Sequence, residues 1–165
     1  MAIITKVLYD DHKRVERLFA RYSKGESSLI DMIIDELELH STIEEEIVYP
    51  ALAEIDPAKA EESQQDHDEV KDVIAEIQDL EPGDPGLTKL MRRLERLVTG
   101  HVEREERDVF PLIKERLYHE GFEMGAQAFA LRQEILASRG ERPEVDPLGW
   151  PNSGWGQAKV PGGGW

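Results

Sequence analysis

The 165-residue chain has no cysteine. Disulfides, thiolate metal sites and thiol catalysis are therefore excluded. Basic charge is short: 20 Lys and Arg stand against 35 Asp and Glu, a formal net charge of -15. Nucleic acid and anionic membrane both need a basic footprint, so neither is expected as a partner. No apolar run nears the ~20 residues that span a bilayer. The N-terminus, MAIITKVLYDDHKRVERLF, is charged from Lys6 onward and lacks the apolar stretch of a signal peptide. A cytoplasmic protein is the expectation. Strand patterns are also missing, with no alternating β-branched runs.

What remains reads as helix, and the fold class is all-α. A first segment over about 2–24 places Leu8, Val15, Leu18, Phe19 and Tyr22 on one stripe and ends at Gly25. A second, about 28–54, carries Leu29, Ile33, Leu37, Ile47 and Val48, with Ser28 and Asp31 resembling a capping box. Asp56-Pro57 opens a third, with Ala60, Val70, Ile74 and Ile77. After the turn EPGDPG, Asp84-Pro85 opens a fourth, carrying Leu87, Leu90, Met91, Leu94, Leu97 and Val98. A shorter fifth helix, about 122–138, carries Phe122, Phe129 and Leu136. Composition then changes. Residues 141–165 hold all three tryptophans, six of the 13 glycines and four of the nine prolines. We read residues 1–140 as a helical bundle and 141–165 as an extended C-terminal tail. Disordered polar linkers normally lack Trp. The tail is thus either a strap docked on the bundle or a free segment offering aromatics to a protein partner.

Four of the five histidines fall in a pattern stated twice. The first copy is Asp11-His12 followed by His40-x3-Glu44-Glu45-x2-Val48-Tyr49-Pro50. The second is Asp66-His67 followed by His101-x3-Glu105-Glu106-x2-Val109-Phe110-Pro111. His12, His40, Glu44, His67, His101 and Glu105 all fall on the apolar stripes of their helices, where Leu, Ile or Val belongs. A buried carboxylate costs several kcal/mol unless it is paired or bound to a cation. Two carboxylates and four imidazoles on four core faces share one explanation, a pair of metal ions. The donor set suits iron, zinc, copper or manganese. Glu45 and Glu106 lie 100° round the helix from these residues and read as rim or solvated groups, the alternative being that they ligate the metal or support a residue that does. His119 stands outside the repeat and reads as a surface residue. Pro50 and Pro111 are expected to kink or end their helices ten residues after His40 and His101.

These motifs resemble the hemerythrin-like, or HHE cation-binding, domain family, over about residues 3–118. The resemblance implies an up-down four-helix bundle holding a non-haem di-iron centre. Glu44 and Glu105 would bridge the irons together with an oxo or hydroxo group. His12, His40, His67 and His101 would be terminal ligands. One departure stands out. Oxygen-carrying members have a second histidine one turn after the helix-three histidine, where this chain has Lys71. They also place the helix-four carboxylate five residues after its histidine; this chain offers Glu105 at four and Glu106 at five, and Glu105 falls on the stripe. The site is therefore more open than a carrier's unless another residue closes it. Tyr49 is the first candidate, as iron ligand, hydrogen-bond donor or radical relay; otherwise it is a packed aromatic matching Phe110. The expected function is binding or reducing O2, peroxide or nitric oxide, with catalase- or peroxidase-like turnover. The competing reading is a non-enzymatic iron or oxygen sensor, or an iron-handling protein, signalling through its surface or tail.

Overall fold

The computed structural model describes residues 2–141, and all of its regular elements are helical. The tail lies outside the described residues, and with it the question of whether its tryptophans dock. Five rods follow one another. The first is α1 (Ile4–Ser23). A second is built from α2 (Ile30–Ile43), a π-helical turn (Glu44–Val48) and α3 (Tyr49–Ile55) without interruption. Then comes α4 (Pro57–Gln78). The fourth rod repeats the second: α5 (Leu87–Arg104), a π turn (Glu105–Val109) and α6 (Phe110–Arg116). The fifth is α7 (Glu120–Ser138). Among the described residues no helix is long and apolar enough to cross a membrane.

Local chemistry sets most boundaries. Gly25 has φ 108, a left-handed value that suits glycine, and its N–H closes onto the Tyr22 carbonyl at 2.9 Å. The Asp56 side chain accepts from the Lys59 N–H at 3.1 Å, with Pro57 in the first turn. The expected box at Ser28 does not form. A 3-10 turn over Ser27–Leu29 leads into α2 instead, and Leu29 N–H donates to the Glu26 carbonyl. Asp84 accepts from Gly86 N–H at 2.7 Å, and α5 begins at Leu87, just beyond the Asp84-Pro85 start read from the sequence.

The two prolines do not end their helices. Each rod runs on, to Ile55 and to Arg116. A proline inside an α-helix lacks a donor and crowds the carbonyl four residues back. Here a widened turn precedes it. Tyr49 N–H reaches back to the Glu44 carbonyl and Phe110 N–H to that of Glu105, both i→i−5. Pro50 and Pro111 then sit in the first turn of the following α segment, where a missing N–H is tolerated.

Two apolar cores occupy the two ends of the bundle. One gathers Leu8, Ile43, Leu52, Val109 and Ile113. The other gathers Phe19, Ile33, Val73, Met91 and Leu94. A buried polar layer lies between them along the first four rods: His12, His40, Glu44, His67, His101 and Glu105. The fifth helix packs on the first core with a different face from the one expected. Phe122 is exposed, and the buried face is Gly121, Met124, Gly125, Ala128, Arg132 and Leu136. Small residues are needed there because the chain start passes against α7. A Cβ added at Gly125 would lie 2.0 Å from the Ala2 carbonyl oxygen.

Candidate metal centre

The structure brings all six residues read from the repeat into one layer. Their donor atoms fall into two groups, each within 4.8 Å: His12, His40, Glu44 and Glu105, and Glu44, His67 and His101. The histidines of the first sequence copy therefore share one group and those of the second copy the other. Glu44 belongs to both. Its Oε2 lies 3.1 Å from Nε2 of His40, 3.1 Å from that of His67 and 3.7 Å from that of His101. Glu105 Oε2 lies 3.3 Å from Nε2 of His12 and 3.5 Å from that of His101. All four histidines aim Nε2 inward.

The outward nitrogens are organised as well. His12 Nδ1 meets Glu106 at 3.0 Å, and His67 Nδ1 meets Glu45 at 2.9 Å. His40 Nδ1 faces Asp11 at 3.6 Å, and His101 Nδ1 faces Asp66 at 3.4 Å. The assignment runs round the bundle. The first rod's Asp11 supports the second rod's His40, and the second rod's Glu45 supports His67 on α4. Asp66 on α4 supports His101 on the fourth rod, whose Glu106 returns to His12. A carboxylate hydrogen-bonded to Nδ1, as at His12, His67 and His101, fixes the tautomer, leaves Nε2 free to ligate and raises ring basicity; at His40 the Asp11 carboxylate approaches as an ion pair only. Glu45 and Glu106 are thus partly exposed groups at the rim of the layer that hold histidines of the neighbouring rods, the supporting role that the sequence offered as the alternative.

Three of these carboxylates meet a cation: Asp11 meets Arg132, Asp66 meets Arg104 and Glu45 meets Lys71. Lys71 reaches Glu45 at 2.6 Å and so turns away from the imidazoles. Arg132, only 2% exposed, comes from α7 and was not singled out by the repeat. A cation in the middle of that helix's apolar face was its one sequence signal. Burial alone would raise the Asp11 pKa, but Arg132 and His40 hold it below the usual carboxylate range.

The same competition governs the inner residues. Burial opposes the charged imidazole of His40, yet Glu44 and Asp11 hold its pKa well above the ordinary value. For His101, burial is likewise outweighed, by Glu105, Asp66 and Glu44, and the pKa is pushed up to about 10. Burial disfavours the Glu44 carboxylate, while His40, His101 and His67 hold its pKa well below normal.

Tyr49 joins this layer rather than merely packing beside it. Its hydroxyl lies 3.0 Å from His67 Nε2 and 3.3 Å from Glu44 Oε2. Burial, with Glu44 and Glu105 nearby, pushes its pKa far up. Phe110, its counterpart in the repeat, stacks on His12 with ring centroids 5.5 Å apart.

The residues fit a metal. His12 Nε2, His40 Nε2, Glu44 Oε1 and both Glu105 carboxylate oxygens are buried with no hydrogen-bond partner. Orphaned polar atoms at such density are rare in folded proteins, and cations held by these atoms would satisfy all of them. Imidazole and carboxylate donors on facing helices of a bundle are a known setting for two-metal sites.

Comparison with known proteins agrees. No solved structure matched the chain. A stretch of 142 residues is 25% identical to a protein from Nostoc sp. named DNA nickase, covering 82% of this chain and 40% of the nickase. The chain thus spans well under half the length of that relative. The model of the Hemerythrin family, the hemerythrin HHE cation-binding domain, matches residues 3–113, which include both copies of the histidine pattern. By that match, and with the buried histidine and glutamate layer it encloses, the chain belongs to the hemerythrin HHE cation-binding domain family.

Proposed function

We propose that the chain is a cytoplasmic non-haem di-iron protein that binds or reduces a small oxidant: O2, peroxide or nitric oxide. The observation that supports this reading is the shared Glu44. One carboxylate lies in both donor groups, as expected where two ions sit side by side. Iron would supply the redox chemistry there. The residues supply the rest. The four imidazoles present Nε2, and Glu44 and Glu105 offset the cations' charge. The two apolar cores flank the layer on either side. Tyr49 keeps its proton and offers an O–H donor beside His67 and Glu44. DNA cleavage, named for the Nostoc relative, is not carried over: the match covers only 40% of that relative, and a net charge of -15 disfavours duplex DNA.

Metal analysis with an optical spectrum of the purified protein tests the site. Two irons per chain with oxo-to-iron charge-transfer bands support it; a metal-free protein of full stability overturns it. Peroxide consumption by the iron-loaded protein then tests turnover. Fast loss supports an enzyme of peroxidase or catalase type.

A second reading is favoured by Arg132. It ties α7 to His40 through Asp11, so the state of the metal layer reaches a surface helix. In that reading the protein senses iron or an oxidant. Stoichiometric binding without turnover, with a change in hydrogen exchange along α7 on iron loss, supports it.

A further inference from the structure

A cavity of about 350 Å³ opens onto the histidine layer from the side of the second core. The four histidines form one wall. Val15, Leu37, Val70, Ile74, Val98 and Val102 form the opposite wall. Ser41, Lys71 and Arg139 also line it and carry its outer edge, Lys71 and Arg139 being exposed. A water molecule occupies about 30 Å³ of liquid, so the space is roughly ten times what water needs, and far more than a diatomic or peroxide needs. Well-packed interiors keep few voids larger than a water molecule. Apolar cavities of ~150 Å³ already take up benzene. Larger side chains would narrow such a space, yet the wall facing the imidazoles is mostly valine.

We propose that this cavity is the binding site of an apolar organic ligand of about six or more carbons with one polar head of the hydroxyl or hydroperoxide class. The head meets the imidazoles and the chain lies along the valine wall. The inference rests on the metal reading above only for what the head meets; the cavity itself is made of protein. A purely inorganic oxidant would leave most of the apolar wall unused. An alkyl chain covers it and gains from each methylene removed from water.

The test uses straight-chain alcohols from ethanol to 1-hexanol, titrated into the full chain by calorimetry in metal-free and iron-loaded forms. Metal content is measured on the same samples, so a failed metal site and a failed cavity are told apart. Affinity is expected to tighten about fourfold per methylene in both forms. Methyl NMR of the metal-free protein should shift Val15, Val70, Ile74 and Val98, with transfer from the hexanol C1 protons to histidine ring protons. Val98→Phe, which takes space from the valine wall, should weaken hexanol binding and flatten its gain over ethanol; Val70→Phe does the same from another helix if that variant does not fold. Absence of hexanol binding, affinity independent of chain length, shifts elsewhere on the surface, or unchanged binding in a folded Phe variant overturns the proposal.

Discussion

Tyr49 places its hydroxyl 3.0 Å from the Nε2 of His67, the nitrogen that faces the cluster. The equivalent position in the other half is Phe110 stacked on His12. The two halves are therefore chemically unequal where their sequences are most alike. Tyr49 should resist ionisation in the folded metal-free protein, because burial and two nearby carboxylates disfavour the phenolate. An ultraviolet pH titration should gain a phenolate when the protein unfolds, and Tyr49→Phe should remove that gain and cost about 1–2 kcal/mol of stability. Where iron draws the phenolate into its shell, the same variant should lose a long-wavelength band.

Glu44 lies in both donor groups, whereas His12 lies in one. Glu44→Gln should weaken metal binding at both donor groups, and His12→Ala should spare the group of Glu44, His67 and His101. Metal stoichiometry by mass spectrometry of the native protein reads the difference directly. Chelation of the wild type should lower the melting midpoint. A metal present at 100 times its dissociation constant contributes about 2.7 kcal/mol.

Glu45 and Glu106 hold Nδ1 of His67 and His12. Changing either to Leu removes the hold and leaves the metal donors in place. Metal affinity should fall by about 10–100-fold, with helicity unchanged by circular dichroism. Equal affinity for wild type and variant would show that the hydrogen bonds do not position the rings.

Arg132→Met leaves the Asp11 carboxylate buried without its cation. The cost should be about 3–5 kcal/mol at pH 7. In the wild type the Asp11 pKa is lowered, so its contribution is complete above the ordinary carboxylate pKa. It is lost as pH falls through the lower folded value. In the variant the pKa is expected to rise above normal, and acid then neutralises a charge that should not be there. The deficit should therefore shrink between pH 7 and pH 4, as urea denaturation at both values would show.

Gly125→Ala sets a methyl against the Ala2 carbonyl, where a Cβ would lie 2.0 Å away. One of the two segments must move. The expected cost is about 1–3 kcal/mol, with faster hydrogen exchange along α7 and the first turn of α1.

Much of this architecture is legible in the sequence. The six inner residues are readable because each replaces an apolar side chain on a 3.6-residue stripe, and because the pattern occurs twice. Glu45 and Glu106 are legible only as rim residues with a supporting role as the alternative, because their partners His67 and His12 lie on other rods and no local period encodes that contact. Pro50 and Pro111, read as kinking or ending their helices, mark the two widened turns that precede them. Arg132 escapes because its partner Asp11 lies 121 positions away, and no local period encodes a contact between separate rods. Phe122 misleads because aromatic bulk usually marks the buried face, while α7 is held close by glycines.

The circuit of carboxylates around the bundle repeats after two rods. Asp11 serves His40 within the first half, while Glu45 serves a histidine that only the second half provides. Either half alone therefore ends in one unused carboxylate and one unsupported imidazole. Those are the two ends that a second copy would join. By this rule a peptide carrying only the first two rods is an incomplete loop, and two such peptides, paired about a twofold axis, have the parts to close it.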